Sequence, residues 1–298
     1  MKHEPVLLNE VIKLLDPKKG EFFIDGTFGS GGHSAAILEK IGPEGELLAV
    51  DWDANNIEKG KKELPSKNVI WANNSYSRLP EILRNRKLPK ADGLLLDLGF
   101  SSEQLGGSGR GFSFLRDEPL LMTYAEDSAP VSEILATIRE QDLAEIIKTL
   151  GEERYAQSIS RAIVARRKKK PIATSGDLAQ IIRDSVPGNY ERGRRWSGAS
   201  RIDPATRTFQ ALRIYANREL ENLEAVLQNL TQIVRSGGRV AIISFHSLED
   251  RLVKNHFRNL AKEGGAEILT KKPITASSGE LRQNPRSRSA KLRLIKIQ

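Results

Sequence analysis

Short apolar runs alternate with amphipathic stretches along the first hundred residues of the chain. The runs predict four β-strands, at residues 21–25, 47–51, 68–72 and 93–98. Each run is bounded by turn residues, as is typical of parallel strands with both faces covered. The stretches between them predict helices at residues 34–40, 55–64 and 77–84. This alternation predicts a doubly wound α/β sheet.

The alternation stops near residue 99 and returns near residue 240. Between them the pattern predicts a glycine- and serine-rich loop over 99–111, helices within 131–186, an arginine-bearing loop over 188–204, and one long helix from 207 to about 235. Gly237-Gly238-Arg239 then predicts a turn, followed by strands at 240–245, 266–269 and 291–297. We therefore predict one α/β domain, 1–103 with 209–298, interrupted by a mostly helical insertion at 104–208.

A glycine-rich loop follows the first predicted strand. Its sequence is Asp25-Gly26-Thr27-Phe28-Gly29-Ser30-Gly31-Gly32. Glycine lets a backbone approach a ligand closely because it has no Cβ. The loop lacks the Gly-Lys-Ser/Thr of a P-loop and the Gly-x-Gly-x-x-Gly that seats a pyrophosphate. A strand, a glycine loop, a helix and a second strand ending in Asp51 indicate half of a nucleotide-type site, and a tight turn without ligand is the alternative.

Acidic residues end three of the predicted strands: Asp25, Asp51 and Asp97. Ligands of open α/β sheets bind beyond the carboxyl ends of the strands, so these side chains mark a candidate site, with helix capping as the alternative. Phe100 follows Asp97 at the spacing that amino-group methylases of nucleic-acid bases use, although their two prolines are missing. A carboxylate that accepts a hydrogen bond from an exocyclic amine makes its nitrogen a better nucleophile. Phe100 suits either stacking on a base or packing in a core.

The composition adds a net charge of +9 and no cysteine. The basic balance suits an anionic partner such as RNA, and the lack of cysteine excludes disulfides, thiolate nucleophiles and cysteine-bound metals. Neither a signal-peptide core nor a membrane-spanning run is found, so the expected location is the cytoplasm. Basic clusters at 166–170, 192–195 and 282–293 are either phosphate contacts or plain solvated faces.

Longer motifs span nearly the whole chain in order: His3-x-Pro5-Val6-Leu7-Leu8, Asp25 to Ser34, Leu96 to Ser102, Arg110 to Phe114, Gly151 to Arg154, Pro204 to Ile214, Ser244 to Arg251, and Asn284 to Arg293. Together they resemble the bacterial ribosomal RNA small subunit methyltransferase H family. Motifs of this length are far more specific than a lone glycine loop.

The resemblance implies a Rossmann-like class I S-adenosylmethionine methyltransferase sheet whose helical insertion recognises the substrate. It implies N4-methylation of a cytidine in 16S rRNA, near the ribosomal P site, with S-adenosylmethionine as methyl donor. The partner is then the small ribosomal subunit, no membrane is involved, and a homodimer is compatible with the sequence. The implied cofactor-binding residues are Gly31, Gly32, His33, Asp51, Tyr76, Asp97 and Gln104. Asp97 and Phe100 are the expected catalytic residues.

The chain departs from the family pattern at three positions. Leu121 and Thr123 stand where the family usually has an acid and an arginine, and Asp203 stands where it usually has histidine. These departures keep open a non-catalytic ribosome-assembly factor that retains the cofactor fold. A nicotinamide-dependent oxidoreductase is a second alternative, which the glycine spacing disfavours. The separated His33 and His246 make a poor metal site, and we expect none.

Overall fold

The computed structural model describes residues 5–99, 109–124, 128–188, 190 and 203–298. Across these residues seven strands form one sheet. The strands are β1 Phe22–Asp25, β2 Glu46–Asp51, β3 Val69–Asn73, β4 Ala91–Asp97, β5 Val234–Ser244, β6 Ala266–Ile268 and β7 Lys291–Ile297.

Helices connect the strands and fill the insertion. They are α1 Leu8–Leu15, α2 Gly32–Ile41, α3 Ala54–Glu63, α4 Leu79–Asn85, α5 Val131–Thr137, α6 Glu140–Gly151, α7 Ala156–Arg167, α8 Ser175–Ser185, α9 Ala205–Asn217, α10 Glu219–Gln228, α11 Leu230–Ile233, α12 Ser247–Lys262 and α13 Ser278–Gln283. Short 3₁₀ helices cover Tyr76–Arg78 and Pro285–Ser289.

The strand order of the sheet is β3-β2-β1-β4-β5-β7-β6. The first five strands of this order run parallel, and β7 lies antiparallel to both β5 and β6. The order reverses between β1 and β4, and such a switch point opens a crevice at the carboxyl ends of the strands. We call this edge the carboxyl edge. The antiparallel β7, inserted between β5 and β6, distinguishes the sheet from the 3-2-1-4-5-6 order of nicotinamide-binding folds.

Alternate residues of each strand enter two different hydrophobic clusters. Leu48 and Leu94 belong to one cluster, whereas Leu47 and Leu95 belong to the other, and all four are fully buried. Side chains of a strand alternate between faces, so both faces of the sheet are covered. This double burial is why the strands appear in the sequence as continuous apolar runs.

The chain divides into two compact units. The first contains Met1–Ser101 and Leu220–Gln298, and the second contains Ser102–Glu219. The sequence placed the second boundary near residue 208, but α9 belongs to the second unit because Ala205, Phe209 and Leu212 are buried in that unit's own cluster.

The α/β fold class is confirmed, as are the seven strands. Two details were wrong. The single helix predicted from 207 to about 235 is three helices, and its first break falls at Arg218, whose φ of 50° is left-handed. The turn predicted at Gly237 is a bulge inside β5, because pairing with β4 passes from Ala91↔Val234 to Gly93↔Arg239.

No helix within the described ranges is both long enough and apolar enough to span a membrane.

Candidate functional site

The glycine loop is shaped by close approaches that leave no room for side chains. Gly31 begins α2 in a left-handed conformation, with φ of 75°, and a Cβ there would lie 2.6 Å from the ring of Phe28. A Cβ on Gly32 would lie 2.2 Å from Cγ of Pro5. Any other residue at Gly31 or Gly32 would therefore be strained or would collide with a neighbour. The loop consequently presents bare backbone at the carboxyl edge.

Asp51 ties the glycine loop to the end of β2. Its Oδ2 accepts hydrogen bonds from the Gly29 amide at 2.7 Å and from Asn56 Nδ2 at 3.1 Å, and its Oδ1 accepts from the Asp53 amide at 2.8 Å. An ionised carboxylate offers about four acceptor positions, so one remains on Oδ1 for a ligand hydroxyl. Burial raises the pKa of Asp51 to about 6 despite these bonds.

Asp25 is the most deeply buried carboxylate of the site, at 1% exposure. Ser34 donates its hydroxyl to Oδ2 at 2.7 Å, and the Thr27 amide donates to Oδ1 at 3.1 Å. Burial raises the pKa of Asp25 to about 6, and these hydrogen bonds hold it below a still higher value. Asp25 therefore fixes the start of α2 against the end of β1.

Asp97 ends β4 beside the switch point. Its amide donates to the Thr27 hydroxyl at 2.6 Å, which anchors the strand end to the glycine loop. Its Oδ1 is buried, and no donor among the described residues reaches it. Burial, with the charges of Asp25 and Glu249 nearby, raises the pKa of Asp97 well above its ordinary value. A buried oxygen without a donor costs free energy unless a ligand supplies one.

His33 lies between the amino-terminal segment and Asp97. Its Nε2 is 3.0 Å from the carbonyl of Val6, and a carbonyl only accepts, so Nε2 carries a hydrogen. The other ring nitrogen, Nδ1, faces Asp97 Oδ2 at 3.6 Å. Both side chains are largely enclosed, at 7% and 22% exposure. His33 therefore reaches the site through its side chain.

Tyr76 follows β3 and stands next to the glycine loop, since its Cβ is 3.2 Å from where a Cβ on Gly26 would lie. The first unit thus brings together most of the predicted site residues: Gly31, Gly32, His33, Asp51, Tyr76 and Asp97. Phe100 and Gln104 lie outside the described residues.

Sequence reasoning missed three residues at the carboxyl end of β5. Glu249 accepts hydrogen bonds from the amides of Phe245 and His246, and His246 in turn caps α12 through Nδ1. The ring of Phe245 lies 3.5 Å from a Cβ placed on Gly99, just beyond Asp97. A capping pattern from His246 to Glu249 was visible in the sequence, but its closeness to Asp97 depends on β4 pairing with β5.

Three carboxylates concentrate negative charge at the carboxyl edge. Asp25, Asp51 and Asp97 all have raised pKa values because burial disfavours their ionised forms. A bound cation would lower these pKa values and recover part of that cost. The bare loop, the open acceptor of Asp51 and the unpartnered Asp97 Oδ1 together fit a nucleoside that carries a positive centre.

The basic clusters prove to be of two kinds. Arg293 and Lys291 bind Asp250 at 2.6 Å and 3.2 Å and brace β7 against α12. Arg282, Arg286 and Arg288, by contrast, are exposed. They precede β7, whose first residue pairs with Ser244 at the end of β5, so this segment lies at the carboxyl edge. In the second unit Lys168, Lys169 and Lys170 are exposed, and the 192–195 cluster lies outside the described residues.

The three departures from the family pattern lie in the second unit and have different surroundings. Asp203 accepts a hydrogen bond from the Ala205 amide at 2.8 Å and pairs with Arg183 at 2.9 Å, so it holds the turn that leads into α9. Thr123 is buried, and the Arg110 guanidinium reaches the carbonyl of Tyr124 at 3.1 Å. Leu121 is only half-buried, while the adjacent Leu120 and Met122 enter the core.

The strand order with its antiparallel β7 and the row of carboxylates at the carboxyl edge define the class of protein, a class I methyltransferase fold. The chain belongs to the MraW methylase family, whose model matches residues 1–298.

Curated relatives align with this chain over nearly its whole length. A protein of Syntrophus aciditrophicus (strain SB) is 42% identical, covering 98% of this chain and 96% of its own. Proteins of Syntrophobacter fumaroxidans (strain DSM 10017 / MPOB) and Ehrlichia chaffeensis (strain ATCC CRL-10679 / Arkansas) are 39% and 41% identical, covering 100% and 98% of this chain and 97% and 99% of their own. Each is named ribosomal RNA small subunit methyltransferase H.

Proposed function

We propose that this protein methylates ribosomal RNA of the small subunit, and specifically N4 of a cytidine in 16S rRNA near the ribosomal P site, with S-adenosylmethionine as methyl donor. Membership of the MraW methylase family and the names of its relatives support the activity on rRNA. The finer assignment to an exocyclic amine rests on the site itself.

The observation that supports an amine substrate most directly is Asp97 Oδ1. This buried oxygen faces the switch point of the sheet with no donor among the residues that the structure describes. An exocyclic amine is a donor that also loses a proton during methylation. A carboxylate at that position accepts its hydrogen bond, localises the nitrogen lone pair and receives the proton.

The donor supplies a methyl group on a positively charged sulfur. As the new bond from the amine nitrogen to the methyl carbon forms, the carbon–sulfur bond breaks and one amine proton passes to Asp97 Oδ1. The protein's other contribution is to hold the two reactants in line, which lowers the barrier without further covalent chemistry. Phe100 or the nearby Phe245 offers an aromatic face on which the base stacks.

We assign the cofactor to residues of the first unit. Gly31 and Gly32 give it bare backbone, Asp51 accepts from a ribose hydroxyl through its open position, and Tyr76 lies beside the adenine. His33, Asp97 and Gln104 complete the assignment. The carboxylates with raised pKa values, Asp25 and Asp97, favour the sulfonium charge.

We further infer that exposed basic side chains on each unit contact RNA phosphates. Arg282, Arg286 and Arg288 lie at the carboxyl edge of the first unit, and the exposed Lys168 lies on the second. Such contacts position RNA without reading its sequence.

Mass spectrometry of 16S rRNA tests the proposal most directly. We expect N4-methylcytidine at one position in RNA treated with the wild type and S-adenosylmethionine, and its loss in cells that lack the protein. Asp97→Asn keeps the shape of the side chain but cannot take the proton, so its single-turnover rate should fall by roughly 10²–10⁴. Methylation of another base, or an unaltered rate in Asp97→Asn, would refute the assignment.

A non-catalytic assembly factor is the second candidate and is not favoured. The departures that suggested it, at Leu121, Thr123 and Asp203, lie in the second unit, where Asp203 pairs with Arg183, while the carboxylates of the first unit are intact. An assembly factor would bind S-adenosylmethionine and RNA in the same assay without transferring the methyl group.

A further inference from the structure

His33 has a geometry that simple cofactor binding does not require. Its Nε2–H is committed to the Val6 carbonyl at 3.0 Å, so the neutral ring presents a lone pair at Nδ1. That nitrogen faces Oδ2 of Asp97 at 3.6 Å, a separation that a small rotation closes to a hydrogen bond. The other oxygen, Oδ1, is the one left for the substrate. The two oxygens of Asp97 thus face different partners.

The surroundings of Asp97 disfavour its ionised form, and His33 can offset this effect. The charged groups around it are Asp25 from β1 and Glu249 from α12, and both oppose its ionisation. A protonated Asp97 cannot accept the amine proton. His33, from α2, is the neighbouring group able to hold a positive charge beside these acids.

We propose that His33 is a positioning residue for methyl transfer, because its Nδ1 takes the proton that Asp97 would otherwise keep. This inference rests on the proposed function. Moving the proton from Oδ2 to Nδ1 leaves the charge of the pair unchanged and needs no other reactant. Asp97 then meets the amine as a carboxylate, accepts its proton at Oδ1 as the methyl group transfers, and can return to the starting state by releasing that proton to solvent.

The variant that tests this role is His33→Gln. The glutamine amide reaches about as far as Nε2 and can still donate to the Val6 carbonyl, but it offers no basic nitrogen to Asp97. Methylation needs ionised Asp97, so the rate rises with pH through the pKa of Asp97. Without His33 that pKa is higher, and the midpoint of the single-turnover rate should move up by about one pH unit or more. At high pH the variant should recover the wild-type rate.

Ser34→Ala is the matched control on the same helix. It removes the hydrogen bond that favours ionised Asp25 and leaves His33 in place. Asp25 then opposes Asp97 less at neutral pH, so the midpoint should stay unchanged or move down. An equal melting temperature in His33→Gln and wild type would show that the fold is retained, and rates measured at saturating S-adenosylmethionine exclude any effect of His33 on cofactor affinity.

A direct titration separates this inference from the proposed function. In protein labelled with ¹³C at aspartate carboxyls, the Asp97 signal, assigned by its absence in Asp97→Asn, should titrate at higher pH in His33→Gln than in wild type. This result holds whichever base the enzyme methylates. Superimposable titrations, or a rate lowered equally at every pH with the same midpoint, would reduce His33 to a structural role and overturn the inference.

Discussion

At the residue scale, the carboxylates of the site differ in how many hydrogen-bond donors the fold places around them. Asp51 accepts three hydrogen bonds, from Gly29, Asp53 and Asn56, whereas Asp97 Oδ1 accepts none from the described residues. The first arrangement builds a fixed acceptor, and the second leaves a site for a donor that arrives with the ligand. Two of the predictions concern single side chains of this group.

Replacing Asp51 with alanine should weaken S-adenosylmethionine binding at least tenfold. The change removes the ribose acceptor and also the hydrogen bond that holds the Gly29 amide at 2.7 Å, and each charged hydrogen bond contributes roughly 1.5–3 kcal/mol. Isothermal calorimetry measures the loss, with Asp53→Ala as a neighbouring control. An unchanged dissociation constant would remove Asp51 from the cofactor site.

Asp25→Asn should stabilise the protein at neutral pH. The folded pKa of about 6 lies above the ordinary value of 3.8, so the folded state binds the proton more tightly than the unfolded state. Protonated Asp25 contributes about 3 kcal/mol to the free energy of unfolding below pH 4. This contribution is lost as the pH rises through 6. Asparagine does not ionise; its Oδ1 can accept from the Thr27 amide, and its Nδ2 can donate to the Ser34 hydroxyl, which is also able to accept.

Urea unfolding at pH 4 and pH 7.5 measures this difference. The variant should match the wild type at the lower pH and exceed it at the higher one. Asp51 titrates in both proteins. Loss of the Asp25 charge also eases the ionisation of Asp97, and this effect stabilises the variant at pH 7.5 in the same direction. If the free energy of unfolding changed equally with pH in the variant and the wild type, ionisation of Asp25 would not destabilise the folded state.

At the element scale, the segment 109–124 depends on one amide side chain of α9. Asn217 donates to the Met122 carbonyl at 2.7 Å and accepts from the Tyr124 amide at 2.9 Å. Met122 has a left-handed φ of 54°, so the chain turns sharply at the clamped position. Leu121 is only half-buried, so the Asn217 side chain, and not packing of Leu121, holds this part of the backbone.

Asn217→Ala should therefore destabilise the second unit by roughly 1–3 kcal/mol for each backbone group left without a partner. Urea unfolding measures this loss of stability, and amide hydrogen exchange at residues 109–124 should become faster in the variant. Gln228→Ala, at an exposed amide on α10, serves as the control and should change stability little. A loss below about 1 kcal/mol would mean that water replaces the clamp.

At the scale of the whole molecule, the net charge of +9 comes from basic residues on both units. The sequence does not show which of them form ion pairs within the fold. Some basic residues of the clusters brace the fold: Arg293 and Lys291 bind Asp250, and Arg166 lies 3.7 Å from Asp177. Others are exposed and available to phosphate.

Neutralising the exposed residues should reduce RNA affinity and its dependence on salt. Each lost phosphate contact lowers the slope of log K against log salt by roughly 0.7–0.9. We expect this for Arg286→Gln with Arg288→Gln at the carboxyl edge, and separately for neutralisation of Lys168, Lys169 and Lys170. A set whose slope equals that of the wild type does not contact RNA. Arg293→Gln should instead lower the melting temperature.

The strands, the fold class and the strand-end carboxylates can all be predicted from the sequence. Strands buried on both faces leave continuous apolar runs, and glycine loops and acidic strand ends are local signals that one chain shows directly. The helix break at Arg218 left no such signal, because the side chains on either side of it, Asn217 and Glu219, are held by hydrogen bonds to the distant residues Met122 and Tyr124.

Which of these groups lie close together depends on how the strands pair in the folded chain. Pairing of β4 with β1 and β5 brings Asp97 close to Asp25 and Glu249, which are far apart in sequence, and the position of Val6 fixes the ring of His33. The pKa values follow from that burial and proximity. Chemical reactivity at this site is thus a property of the assembled sheet, since burial and charge coupling arise only when remote segments pack together.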